Sequence, residues 1–192
     1  MKKPQISVIG VGYVGLCTAV GLASKGYKVI ACDIDPQKIQ KINQGVPPFF
    51  EPELQEKLAE SIKAGNLQGI VNQTDMAIQE TDITYVAVGT PSKLDGSIDL
   101  QYIESAAGNI GQALKHKNSY HITVIKSTVV PGTTQNVVLP ALERESKKKA
   151  GEDFGLCMNP EFLRQGSAFQ DTLNADRVVI GAPGLPLRWH TQ

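Results

Sequence analysis

The apolar residues of this chain follow two spacings. Short, nearly continuous runs at 6–9, 28–32, 70–71, 83–88, 121–125, 154–158 and 177–180 have the length and composition of strands. The run at 83–88 is almost wholly apolar, as expected of a parallel strand covered on both faces. Between the runs, apolar residues recur every three or four positions: Val14, Leu16, Ala19, Val20 and Ala23; Ile39 and Ile42; Leu54, Leu58 and Ile62; Ile103, Ala106, Ala107, Ile110 and Leu114; Val137, Val138 and Leu142. Each set is one buried face of a helix. Local chemistry sets the ends. Pro36 opens a helix that Asn43-Gln44-Gly45 stops, and Pro52 opens another over 52–63 that Gly65-Asn66 closes. A brief helix occupies 74–79, Asp99 caps the helix carrying Ile103, and 131–134 starts the one carrying Leu142. The proline-rich loop 46–52 is a stiff connector whose Phe49-Phe50 pair is expected to pack rather than meet a ligand, and 159–171 reads as polar. The alternation predicts an α/β chain with a doubly wound, mainly parallel sheet and right-handed crossovers. A single domain over 1–181 with a tail at 182–192 holds the pattern, without an internal repeat.

The first strand, helix and second strand carry the first chemical signal. Gly10, Gly12 and Gly15 stand in G-x-G-x-x-G spacing where the strand gives way to the helix. There Gly10 permits a tight turn, Gly12 lets backbone approach a pyrophosphate, and Gly15 lets the helix pack close to the strand. The helix N-terminus presents N–H groups and a partial positive charge to phosphates, and Gly26 ends the helix. Asp33, about twenty residues past Gly12 and at the tip of the second strand, suits ribose hydroxyls. This is a Rossmann-like arrangement, and NAD is the expected ligand. Asp33 would repel a 2′-phosphate, no Arg follows it, and Lys38 is the only nearby cation. Gly89-Thr90-Pro91, Ser127-Thr128 and Asn159-Pro160-Glu161 also follow strands, so these loops and the glycine turn should converge on one crevice beyond the strands' carboxyl ends.

Composition narrows the classes. With 192 residues, 41% hydrophobic and 20% charged, the chain can bury a proper core. Nineteen basic and nineteen acidic residues cancel, which gives no reason to expect nucleic acid or an anionic membrane as partner. No apolar run reaches the length of a signal segment or membrane span, so the expected location is cytoplasmic. Cys17, Cys32 and Cys157 are odd in number, irregularly spaced and in apolar surroundings, the pattern of buried free thiols rather than a metal site. Lys147 to Lys149 end a helix as a solvated, dipole-satisfying run. His116, His121 and His190 stand in no catalytic pattern.

Taken in order, GVGYVGL at 10–16, FFEPEL at 49–54, VGTP at 88–91, KSTVVPGTT at 126–134, NPEFLRQGSA at 159–168 and DRVVIG at 176–181 resemble the NAD-binding domain of the UDP-glucose/GDP-mannose dehydrogenase family. The resemblance covers Ile6 to Gly181. It implies oxidation of the C6 alcohol of a nucleotide sugar to a carboxylate, in two steps with two NAD⁺ and no release of the aldehyde. By the same resemblance, Gly10, Gly12 and Gly15 would hold the pyrophosphate and Asp33 the adenosine ribose, with Tyr13, Val14 and Lys38 also cofactor-binding. Thr90, Pro91 and Thr128 would lie along the cofactor. Thr128 would help hold a water and Glu161 would act as base or water-orienting group, a task suited to a carboxylate in a partly dry crevice. Glu161, Phe162, Leu163 and Arg164 would meet the substrate.

The chain also departs from that family. Gln165 replaces a frequent acid, and Glu53 stands where glycine is frequent. The resemblance implies a further nucleotide-sugar domain with a nucleophilic cysteine, for which none of Cys17, Cys32 or Cys157 can substitute. The expectations are therefore no turnover by this chain alone, an exposed apolar patch with self-association, or pairing with a C-terminal half. A non-catalytic NAD-binding or regulatory module, and a GDP-mannose or UDP-N-acetylmannosamine dehydrogenase fragment, are the alternatives. A β-hydroxyacid dehydrogenase would leave the NPEFLRQGSA and KSTVVPGTT segments unexplained.

Overall fold

The computed structural model describes residues 3–182. The strands are β1 (Ile6–Ile9), β2 (Val29–Asp33), β3 (Leu67–Val71), β4 (Ile83–Val86), β5 (His121–Ile125) and β6 (Phe154–Met158). Among the described residues they form one parallel sheet in the order β3-β2-β1-β4-β5-β6. The order reverses between β1 and β4, which opens a crevice at their carboxyl ends. The helices are α1 (Tyr13–Ser24), α2 (Pro36–Asn43), α3 (Leu54–Lys63), α4 (Thr74–Glu80), α5 (Gln101–Lys115), α6 (Leu139–Ser146) and α7 (Ala168–Leu173).

Side-chain alternation along the strands feeds two cores. Ile6, Val8, Val29, Ala31 and Leu67 point to the layer formed by α1, α2, α3 and α7. Ile9, Ile30, Cys32, Val86 and Ile125 point to the layer of α4, α5 and α6. This second face also carries a buried polar chain. Ser7 Oγ lies 2.6 Å from Thr84 Oγ1, Thr84 Oγ1 lies 2.8 Å from His121 Nε2, and His121 Nδ1 lies 3.0 Å from the Thr81 carbonyl. The buried Lys117 ammonium donates to the carbonyls of Ile78, Gln79 and Thr81, neutralising the negative end of α4. His121 is thus a structural residue, and burial followed by the Lys117 charge pushes its pKa down to about 3.

Several expected elements change. The run at 177–180 forms no strand. Among the described residues only Gly181 pairs with Met158, antiparallel, and Val178 to Ile180 stay largely exposed because no second layer of described residues covers them. The segment expected to be polar contains α7, a helix too short to form alone that is held by fully buried Ala168 and Phe169. The helix expected from 131 begins as a π-helical turn at Thr134–Val138 before α6. Pro140, at the start of α6, has no N–H to give the preceding turn, and a widened turn accommodates it. Of the expected packing pair, Phe49 lies 4.8 Å from the Tyr13 ring, but Phe50 is 87% exposed. Glu53 has φ 63°, the left-handed conformation in which glycine is cheapest, and its side chain accepts a 2.8 Å hydrogen bond from Gln170 Nε2 on α7. The tail at 182–192, His190 included, lies outside the described residues except for Ala182.

Candidate functional site

The glycine turn is built by steric exclusion. Gly10 adopts φ 85°, and a Cβ there would meet the Ala87 carbonyl oxygen at 2.7 Å. A Cβ on Gly15 would sit 1.9 Å from the Gly10 carbonyl oxygen, whereas one on Gly12 would meet nothing within 4 Å. Gly12 therefore leaves open space at the N-terminus of α1, the cradle a diphosphate needs. The turn is pinned by Gly10 N–H donating to the Cys32 carbonyl at 2.8 Å.

Asp33 ends β2 and is nearly buried. Its Oδ2 accepts from Val11 N–H at 2.8 Å and from Lys38 Nζ at 3.1 Å, and its Oδ1 accepts from Asp35 N–H at 3.0 Å. A carboxylate has about four lone-pair positions, so capacity remains on Oδ1 for a ribose hydroxyl. Lys38 is neutralised by Asp33 and is not a free cation awaiting a 2′-phosphate. Asp33 thus orders the glycine turn while keeping an acceptor position on Oδ1 open at the tip of β2. These residues fit a dinucleotide with an unphosphorylated ribose.

The turn, the β2 tip and the loops after β4 and β5 line one cleft of about 700 Å³ that includes Gly12, Asp33, Thr90 and Thr128. Thr90 Oγ1 donates to the Thr128 carbonyl at 2.8 Å, and Ser127 Oγ donates to the Val88 carbonyl at 2.7 Å, so the two loops are laced together. Pro91 lies beyond the cleft lining, at the base of the hairpin closed by the Ser92–Ile98 bridge. Sequence reasoning missed the α5 contribution. Tyr102, Ser105, Ala106 and Asn109 also line the cleft. Their i, i+3, i+4, i+7 spacing marks one face of α5, of which the apolar reading had taken Ala106 as core and passed over Tyr102, Ser105 and Asn109.

Glu161 is not among the residues that line the cleft and meets it only through Thr128. Thr128 Oγ1 donates to Glu161 Oε1 at 3.3 Å, and Leu163 N–H donates to Glu161 Oε2 at 2.9 Å. Lys126 Nζ donates to Asn159 Oδ1 at 3.2 Å. Burial lowers the Lys126 pKa, while the negative charge of Glu161 opposes that shift. Phe162 is half exposed beneath the Arg177 guanidinium, 4.6 Å from its ring centroid. The Leu163 side chain is partly buried and packs against the core that includes α1, while its backbone N–H donates to Glu161. Arg164 is committed to Asp171 at 2.7 Å, and that ion pair holds the Asp171 pKa down to about 2. Cys17, Cys32 and Cys157 are buried free thiols. Burial pushes Cys17 up to about 12 and Cys157 up to about 11, so none presents a thiolate at neutral pH.

The strand order, glycine cradle and acidic strand tip define a dinucleotide-binding α/β domain of the dehydrogenase kind. The chain belongs to the UDP-glucose/GDP-mannose dehydrogenase family: the NAD-binding domain of that family matches residues 4–185. GDP-mannose 6-dehydrogenase of Azotobacter vinelandii is 48% identical over 177 residues, 92% of this chain and 40% of that enzyme. UDP-glucose 6-dehydrogenase TuaD of Bacillus subtilis is 43% identical over 182 residues, 95% of this chain and 38% of that enzyme. The solved ternary complex of GDP-mannose dehydrogenase from Pseudomonas aeruginosa matches with a TM-score of 0.91 at 43% identity, covering 93% of this chain and 41% of that one. The chain spans about 40% of the length of the curated relatives it matches. NAD is the cofactor of the domain. Among the described residues no helix is long and apolar enough to cross a membrane.

Asp33→Ala removes a ribose acceptor and frees the Val11 N–H. NADH affinity is expected to fall about tenfold to a hundredfold, the cost of losing charge-assisted hydrogen bonds. Isothermal titration of the two proteins measures this, and equal affinities would remove Asp33 from the site.

Proposed function

We propose that this chain is the NAD-binding part of a nucleotide-sugar 6-dehydrogenase that oxidises the C6 alcohol of a UDP- or GDP-linked sugar to a carboxylate. The observation that carries the proposal is the meeting of Glu161 with Thr128, 3.3 Å apart, where Thr128 closes the dinucleotide cleft. Bound NAD⁺ would supply the acceptor for the hydride of the alcohol carbon. The residues of this chain bind and orient around that event. Gly12 leaves room for the phosphates, Asp33 takes a ribose hydroxyl, and Thr90 braces the cleft floor against Thr128. Glu161, oriented by the Leu163 N–H, offers Oε1 as proton acceptor or water anchor beside the Thr128 hydroxyl. Phe162, at the crevice edge, and Arg164, fixed by Asp171, belong to the substrate side. The relatives' remaining length supplies the sugar pocket and nucleophile in this reading, through a further domain or a partner chain, and the enzyme works in the cytoplasm.

The test is a hybrid in which residues 1–181 replace the matching domain of the Azotobacter enzyme. NADH formation from GDP-mannose is expected. Glu161→Gln in the hybrid should lower kcat about a hundredfold, in the range of a lost general base, with little change in the KM for NAD⁺. A folded hybrid that binds NADH and nucleotide sugar yet turns over neither GDP-mannose nor UDP-glucose would sink the proposal. Unchanged kcat in the Gln variant would remove Glu161 from the chemistry.

A further inference from the structure

Glu51 is a buried carboxylate that neither the cofactor nor the substrate reading uses. It precedes α3 and is 3% exposed. Among the described residues no Lys, Arg or His forms an ion pair with it. Burying a carboxylate without a cation requires hydrogen-bond donors for its oxygens. Three are supplied: the Tyr13 hydroxyl and, at 3.1 Å, the Gly166 N–H reach Oε2, and the Phe169 N–H reaches Oε1 at 3.3 Å. Gly166 N–H also lies 3.0 Å from the Tyr13 hydroxyl oxygen.

The donors come from the two halves of the candidate site. Tyr13 is the first residue of α1, next to Gly12, and lines the cleft. Gly166 and Phe169 belong to the segment that leaves Glu161 and enters α7. Between Pro160 and Gly166 that segment has no helix or strand of its own, so its place depends on such side-chain anchors. Burial and the bond to Glu51 push the Tyr13 phenol up to about 12, so it remains a donor throughout the physiological range. Glu53 adds a second tie from the same loop, through Gln170, at the expense of a left-handed backbone.

We propose that Glu51 is a positioning residue that couples the dinucleotide turn to the 161–169 loop: cofactor at the N-terminus of α1 fixes Tyr13, and Glu51 passes that order to the Gly166 and Phe169 amides. The physical basis is shared ordering. A segment already immobilised by one ligand costs less to hold in place for the next. The inference rests on the dehydrogenase reading only in giving the ordered loop a substrate to meet.

Amide hydrogen exchange by NMR on the full chain, with and without saturating NADH, tests it. In the wild type, NADH should slow exchange at Gly166 and Phe169 by about tenfold relative to core strand amides. In Tyr13→Phe and Glu51→Gln, each at its own saturating NADH, the slowing should drop below about twofold. Tyr13→Phe retains the ring that packs on Phe49, so it reports even if Glu51→Gln does not fold. A purely structural role would lower the melting temperature and speed exchange generally, with the NADH-dependent slowing intact, and that result overturns the proposal. So does a wild-type loop that ignores bound NADH. Failure of NADH to bind the folded wild type appears already in the titration and removes the dehydrogenase reading together with this inference.

Discussion

Gly15→Ala is expected to destabilise the fold by about 3 kcal/mol or more, at the upper end of overpacking costs, while Gly12→Ala leaves stability within about 1 kcal/mol and abolishes most NADH binding. The two glycines are three residues apart and differ in what surrounds them. A Cβ on Gly15 meets the Gly10 carbonyl oxygen at 1.9 Å and the Ala87 Cβ at 3.2 Å. The nearer obstacle is backbone that cannot rotate away, so α1 must lift from β1 and the buried faces of Leu16, Ala19 and Val20 separate from the sheet. Gly12 has φ −70°, which alanine adopts freely, and open space around it. Its substitution fills only open space at the N-terminus of α1, where the proposed function puts the cofactor phosphates, and NADH affinity should fall at least about tenfold. Urea unfolding and titration of both variants check this. Equal stability losses would show that the turn is softer than its geometry implies.

Acid should destabilise this protein through His121 by about 3 kcal/mol between pH 6.5 and pH 4. The Thr81 carbonyl accepts from Nδ1–H, so Nε2 is the ring's acceptor and takes the Thr84 hydroxyl hydrogen. A second ring proton would displace that hydrogen and place a cation beside the buried Lys117. The folded-state pKa is about 3 against an ordinary value of 6.5. Above pH 6.5 both folded and unfolded rings are neutral, and stability does not depend on this group. Between 6.5 and 3 the unfolded chain takes up a proton that the folded chain refuses, so stability falls by about 1.4 kcal/mol per pH unit. Below 3 the loss levels off. Urea unfolding from pH 8 to pH 4 should show this slope in the wild type and lose it in His121→Gln, which gives up stability at pH 8 instead. Parallel pH profiles for the two proteins would mean that His121 titrates normally in the fold.

Much of the architecture was legible because it depends on neighbours in the chain. Short, nearly continuous apolar runs against 3.6-residue faces separated strands from helices, and five of the expected strands appear as β1, β2, β4, β5 and β6 with β3 longer than expected. The G-x-G-x-x-G spacing is read the same way, since each glycine excludes a Cβ from atoms within one strand–turn–helix unit and the strand beside it. Asp33 at the tip of β2 follows from that unit's length. The strand misread at 177–180 and the missed α7 share a cause: local composition matched one element, while the presence or absence of a covering layer selected another.

The sequence by itself determined the alternation of elements, the glycine turn and the acid at the tip of β2, because these follow from sterics and periodicity within a few tens of residues. The tertiary structure alone decided that Glu51 receives Tyr13 across 38 positions and Gly166 and Phe169 across 115 and 118. It alone packed Leu163 against the core, tied Arg164 to Asp171, and set Glu161 beside Thr128. Hydrogen bonds to a buried carboxylate are required by its desolvation, yet which donors answer is fixed only when distant segments are packed together.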